Sequence, residues 1–358
     1  MNPLPFTIIF LVPLTVIVGY ALGGYWTYLT PIFVFFLIPA FDLLIGIRNQ
    51  NLSPEQEATL REDWRFKIIT WLCAPFQVGL VIWGGWVVSH AALTPLELAG
   101  LTFSVGTCSG VLGINVSHEL QHRVNNWFEP LLAKIMLVSV AYAHWSIEHV
   151  SGHHRYVATP GDPATAHLGE SFYAFWPRTV FGGFKSAWRL EQQRLERRKH
   201  SVWSSANRML RFLFGELLFV VFFALLFGPA GLIFWCIQSL IAISLLEIIN
   251  YVEHYGLCRQ KVNESTYESV KPIHSWNSSH YLTNLFLFNL QRHSDHHYRA
   301  DRRYQILRHF SESPQLPAGY GGMLLLAIFP PLWYRVMNKR AEAFNTQLQR
   351  VTEFSSEE

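Results

Sequence analysis

The sequence predicts an all-α membrane protein, with six transmembrane helices in three hairpins and a cytoplasmic helical region rich in histidine. Three observations carry this. Half of the 358 residues are hydrophobic and only 15% are charged, against about 25% in soluble domains. The apolar residues gather into runs long enough for a hydrocarbon core of ~30 Å, which takes ~20 helical residues to cross. Lysine and arginine are missing from three whole stretches, 1–47, 68–122 and 212–258.

The runs fall at 5–24, 28–47, 68–89, 98–117, 209–227 and 230–249. Short connections pair them into hairpins. Each stretch without lysine or arginine contains one far-side turn, so every basic residue lies on the side that holds both termini. By the positive-inside rule that side is the cytoplasm. The expectation is a single integral-membrane domain over 1–358, multi-pass in a bacterial inner (plasma) membrane, with cytoplasmic parts at 118–208 and 250–358. The first run has no basic residue before it and a second span directly after it, so it is not a signal peptide. The run 131–145 contains Lys134 and His144 and would reach only ~22 Å, so it should be buried or re-entrant rather than spanning. The run 323–334 is broken by Pro330 and Pro331 and should lie on the interface or against the domain.

Composition excludes other classes. Disorder needs low hydrophobicity and high charge. A net charge of +3 with no groove-reading motif gives no reason to expect nucleic acid. Four scattered cysteines without a CxxC pair exclude a disulfide scaffold.

Nine of the sixteen histidines sit in four short segments: His118 and His122; His149, His153 and His154; His254; and His293, His296 and His297. Residues three and four apart share a helix face, so each segment should aim its rings at one point. His118 and His122 follow the fourth span and His254 follows the sixth. With 131–145 not spanning, all nine reach the same membrane face. Neutral imidazoles are the commonest metal ligands, and nine exceed one ion's capacity but suit two, at four or five each. Imidazole alone does not name the metal. A lone histidine is usually a satisfied polar residue, and the other seven are read that way. Carboxylates flank the segments at Glu119, Glu148, Glu253 and Asp295, where they can accept the ligands' other N–H. Asp42, Glu216 and Glu247 lie inside spans, where carboxylates are costly and functional by default. Glu247, two turns before His254, is expected to support the metal region.

The segments His118–His122 with Arg123, Glu148–His154, Asn250–Gly256 and Leu290–His297 resemble the histidine boxes of integral-membrane alkane 1-monooxygenases, within the wider group of membrane fatty-acid desaturases and hydroxylases. The spacing of three residues between His149 and His153 is similar to that of the alkane enzymes. The resemblance implies that the nine histidines hold two Fe ions in a non-haem di-iron centre, which is itself the catalytic group. It implies terminal hydroxylation of medium-chain n-alkanes to 1-alkanols with O2 as co-substrate. It also implies electrons from a rubredoxin reduced by an NAD(P)H-dependent rubredoxin reductase. With no paired CxxC motifs in this chain, the rubredoxin is expected to be a separate protein.

The physics agrees. An alkane dissolves in membrane lipids with ~0.8 kcal/mol per CH2, so a site under the bilayer receives substrate from the lipid. An unactivated C–H bond offers no handle to acid–base side chains, so a cofactor must carry the chemistry. Phe35 and Phe36 of the second span are the candidates for lining the substrate path. Arg194, Arg197, Arg198, Lys199, Arg292, Arg299, Arg302 and Arg303 are the candidates for a donor-docking surface. The alternatives are a hydroxylase or desaturase of another lipophile (a fatty acyl chain or an aromatic methyl) and, from another class, a metal-binding membrane transporter. A transporter would place its ligands near the midplane rather than at one face.

Overall fold

The computed structural model describes residues 2–264 and 266–356, with side chains to residue 347. It is helical throughout, with only isolated β-bridges among the described residues. Five helices are long and apolar enough to cross a membrane: α1 (Leu4–Leu22), α2 (Gly24–Ile45), α3 (Trp64–His90), α4 (Pro95–Gln121) and a 47-residue element, Arg208–His254. The chain is thus a multi-span all-α membrane protein. Other helices include α5 (Phe128–Val138) and α6 (Phe172–Arg197) before the 47-residue element, here α7, and α8 (Tyr320–Ala327) and α9 (Pro330–Ser356) after it.

The fifth and sixth expected runs therefore form one helical element, broken at Gly228. That residue has φ 62° and precedes Pro229, a pair that cannot continue a helix. The rings of Phe223 and Trp235 lie 6.1 Å apart, whereas twelve residues of straight helix would separate them by ~18 Å. The element folds back on itself at this point.

Local sequence explains the other ends. Ser53 and Thr94 each form a reciprocal cap with Gln56 and Glu97. Glu97 also accepts a hydrogen bond from the Gly24 N–H at 2.8 Å, tying the α1–α2 turn to the α3–α4 turn at one end of the bundle. The helices then approach closely at glycines. A Cβ on Gly85 would lie 2.5 Å from the Phe223 ring, and one on Gly106 2.7 Å from Ile241. Close contact at small residues is how helices associate in lipid, where burial against lipid tails gives no drive. Leu14, Leu217, Leu225 and Ile233 point outward, as a lipid-facing surface requires.

The run 131–145 is an 11-residue helix followed by a turn at Ala141 (φ 55°), too short to span. Its far end dips among the long helices, where the Ser139 carbonyl accepts from Trp235 Nε1 at 2.8 Å and Gln238 Nε2 at 3.3 Å. Glu216 accepts from the Ala143 N–H of the same turn at 2.9 Å. Asp42 accepts from the backbone N–H groups of Leu282 and Thr283 and from the Thr283 hydroxyl, at the start of the helix Tyr281–Phe286. Both carboxylates thus satisfy backbone donors that would otherwise be orphaned in apolar surroundings. The run 323–334 packs against the domain through Met323, Ala327 and Trp333, with a new helix starting at Pro330.

Gly19 packs so closely on the next turn that an added Cβ would press into the backbone carbonyl of Trp26, which cannot swing aside. Gly19→Ala should destabilise the fold by about 1–3 kcal/mol. The measurement is the thermal unfolding midpoint in detergent micelles, and an unaltered midpoint would show that the turn has room to spare.

Candidate metal centre and apolar cavity

The nine histidines come from four places at one end of the bundle. His118 is in the last turn of α4 and His122 caps that helix. His149 and His153 bound a π-helical turn and His154 follows it. His254 ends α7, and His293, His296 and His297 share the helix Tyr298 closes, His293–Tyr298. The structure brings all nine together in two groups. His118, His122, His149, His154 and His296 form one; His153, His254, His293 and His297 form the other. Within each group one ring nitrogen per residue lies within 4.8 Å of the rest. The two groups adjoin, with the rings of His154 and His297 stacked 4.2 Å apart.

The grouping corrects one expectation. A segment does not aim all its rings at one point: two of the four segments are split between the groups. In the segment 149–154 the backbone closes i→i+5 bonds rather than i→i+4. His149 and His154 then face the same way and His153 turns to the other group. In the last segment His293 and His297, four apart, stay together, and His296 faces away from them.

The nitrogens are buried and mostly without partners. His118 Nε2, His153 Nε2 and both ring nitrogens of His296 and His297 make no hydrogen bond. Others meet a neighbouring imidazole: His149 Nε2 lies 3.0 Å from both His122 Nε2 and His154 Nε2, and His254 Nε2 lies 3.2 Å from His293 Nε2. Burial, and then the neighbouring imidazoles, push the pKa values of His122, His149, His154, His296 and His297 well below the usual range, and His293 likewise. All six are neutral, with lone pairs converging in a dry space. That donor set fits metal ions in a four- and a five-nitrogen site.

His153 behaves differently. Burial is the largest influence and depresses it, but Asp162, with Glu148 and Glu253 adding to it, raises it overall. Its Nδ1 lies 2.9 Å from Asp162 Oδ2, which leaves Nε2 for the centre. Thr165 donates to the same Asp162 oxygen at 2.6 Å. Asp162 is the residue that sequence reasoning missed. It stands nine residues from its partner in a loop with no periodicity, and the only signal was the Pro160–Pro163 loop directly after the second histidine segment.

The flanking carboxylates divide. Glu253 reaches the centre, with Oε2 3.1 Å from His293 Nε2 and Oε1 accepting from Tyr320 at 2.6 Å. Tyr320, far along the chain, was not foreseen either. Glu119 instead pairs with Arg123 at 2.6 Å, and Asp295 with Arg308 at 3.0 Å. Glu247 accepts from Tyr142 and Thr179. Glu148 is buried against Gly152, with one oxygen unpartnered, and burial pushes its pKa up to about 8. None of these four touches an imidazole through a hydrogen bond; Glu119, Glu148 and Asp295 each stand beside a histidine of the centre in the chain and so point ~100° away from it. Glu119 and Asp295 anchor arginines instead.

An apolar cavity runs up from the centre into the bundle, with about 860 Å3 of free space counted out to its mouth. His118, Asn115, Glu253 and Tyr320 line its metal end, and Gly110, Leu245 and Phe35 line it higher up. His118 and Glu253 each stand eight residues from the upper wall on their own helices, so the cavity spans ~12 Å of helix. Phe35 is almost fully buried there, but Phe36 is 58% exposed and faces away from the cavity. Val34 lines the cavity beside Phe35, and Phe36 turns outward. Of the arginines considered for docking, Arg302 and Arg303 are held by Glu57 and Glu129, and Arg292 is buried. Arg197, Arg198 and Arg299 remain exposed.

A multi-span helical bundle that gathers two neutral imidazole groups at the end of an apolar cavity defines a class: a membrane oxidoreductase built for two metal ions and a lipophilic substrate. Comparison with known proteins narrows it. A fatty acid desaturase family model matches residues 93–327. The chain is 43% identical over 323 residues to alkane 1-monooxygenase 2 of Pseudomonas aeruginosa, covering 89% of this chain and 85% of that protein. It is 42% identical over 340 residues to alkane 1-monooxygenase 2 of Alcanivorax borkumensis, covering 93% and 88%. It is 28% identical over 345 residues to the xylene/toluene monooxygenase hydroxylase component of Pseudomonas putida, covering 95% and 89%. The chain belongs to the alkane 1-monooxygenase family.

Asp162→Asn should free the His153 ring and weaken metal retention about 10–100-fold, the usual effect of losing such a partner. Iron per chain after dialysis against graded chelator measures this, with unfolding monitored in parallel. Wild-type retention would show that packing alone orients the ring.

Proposed function

We propose that this chain hydroxylates the terminal methyl of medium-chain n-alkanes to 1-alkanols, consuming O2, two electrons and two protons and releasing water. The observation that carries the reading is the apolar cavity within the bundle that reaches His118 and Glu253. Its lining is apolar except at the metal end, which suits a chain with no headgroup.

The nine histidines are the ligands of two Fe ions in this reading, His118, His122, His149, His154 and His296 for one and His153, His254, His293 and His297 for the other. Iron supplies the redox chemistry of O2 activation that no side chain can. The residues of the chain do the rest. Asp162 holds the tautomer of His153. Tyr320 fixes one oxygen of Glu253 and leaves the other toward His293. The apolar wall from Phe35 to Leu245 excludes water and directs one end of the alkane toward His118. Glu247 braces the turn of α5 through Tyr142, and through it the segment that carries His149.

In the same reading the chain is one integral-membrane domain. It crosses six times as three hairpins, with the fold-back at Gly228 as the third far-side turn. The absence of basic residues around each far-side turn supports termini and metal centre at the cytoplasmic face of the inner membrane. Electrons come from a separate rubredoxin and its NAD(P)H-dependent reductase, as the resemblance of the histidine segments implies.

Membranes holding the protein, given octane, NADH, reductase and rubredoxin, should form 1-octanol and no 2-octanol. Oxidation of an aromatic methyl but not of alkanes would move the assignment toward the xylene/toluene enzyme. Phe35→Ala should lengthen the range of alkanes oxidised while Phe36→Ala leaves it alone. Product profiles over a chain-length series decide this, and identical profiles for Phe35→Ala and wild type would remove Phe35 from the path.

A further inference from the structure

A second cavity lies where α1 begins and α2 ends, with about 1190 Å3 of free space counted out to open solvent. Arg48 and Arg292 line it, together with the side-chain amides of Asn2, Gln56, Asn284 and Gln305. Among the described residues no carboxylate lines it. Its two cations have no anionic partner. Arg292 donates only to backbone carbonyls, those of Leu307, Arg48 and Gln50. The Arg48 guanidinium rests 5.5 Å from the centre of the Tyr281 ring. Arg292 is only 9% exposed, yet its Nε has no hydrogen-bond partner, and neither does the Asn284 side-chain oxygen. Since the two ends of an amide exchange by a flip, Asn284 can present a donor instead. Two guanidinium groups in one recess, with an unused buried N–H, make a site for an anion that accepts several hydrogen bonds.

The position says which anion. The recess opens at the level where two membrane helices meet the interface. Leu4 and Ile47, the chain neighbours of the lining residues Pro5 and Arg48, are 65% and 61% exposed and form an apolar collar beside it. Such side chains belong in hydrocarbon. A ligand that places a phosphate between Arg48 and Arg292 and lays an apolar tail along this collar satisfies both halves. We propose that the cavity binds the phosphate group of an anionic phospholipid. A free phosphate shares the headgroup chemistry but leaves the collar unused.

The test uses the iron-loaded, full-length protein in detergent, titrated with phosphatidylglycerol, phosphatidylcholine or inorganic phosphate and read by native mass spectrometry. One phosphatidylglycerol per chain should be retained, half-occupied at a concentration about tenfold below that for phosphatidylcholine, whose ammonium offsets the phosphate charge and is repelled by the two guanidinium groups. Arg48→Gln should raise the phosphatidylglycerol requirement about tenfold, and Arg48→Lys should raise it less. Arg198→Gln, an exposed cation elsewhere, should leave it unchanged. Equal retention of the two lipids, or an unaltered titration for Arg48→Gln, overturns the proposal. So does displacement of phosphatidylglycerol by inorganic phosphate that binds as tightly on its own, which would make the site one for free phosphate.

Discussion

Imidazole nitrogens held away from water, several of them without a hydrogen-bond partner among the described residues, are the constraint on which the rest of this structure depends. A buried polar group left unsatisfied costs about 1–3 kcal/mol, and the two histidine groups contain several such atoms. Ligation by metal removes the cost, so metal binding and folding of this region are coupled. Four chain segments from distant parts of the sequence must arrive at the same place for this to work. Much of the surrounding architecture can be read as the means of getting them there.

The backbone adapts where regular helices would miss. Three π-helical stretches occur among the described residues: Phe33–Leu37, Ser109–Ile114 and His149–His153. The first two supply walls of the apolar cavity and the third divides its histidines between the two metal groups. Such stretches rotate everything that follows by part of a turn, and they concentrate at functional sites in proteins generally. The α4 helix shows the effect most fully. Its glycines let α7 approach on one side, its π stretch faces the cavity, and its last turns present His118.

Buried carboxylates complete the frame by unlike means. Asp42 and Glu216 satisfy backbone N–H groups, Glu119 and Asp295 hold arginines, and Asp162 and Glu253 reach imidazoles. They are not interchangeable. Only the last two bear on the electronic surroundings of the centre, whereas the first four keep loops and helix ends in place around it.

The amino-acid sequence alone determined the all-α, multi-span class of fold, the apolar runs with the break between the fifth and sixth at Gly228, and the nine histidines. These are legible because they are local or additive: hydropathy sums along a run, and i, i+4 spacing is fixed by helix geometry. Tertiary structure decided the partition of five and four, since that depends on a π turn at His149–His153 whose backbone bonds leave no mark on composition. It decided that Phe35 lines the cavity and Phe36 does not, because rotation about a helix axis is set by what packs on each side. It also decided that Asp162 and Tyr320, rather than Glu119 and Asp295, touch groups at the centre. Proximity in sequence and proximity in space part company wherever a loop, not a helix, brings the partner in.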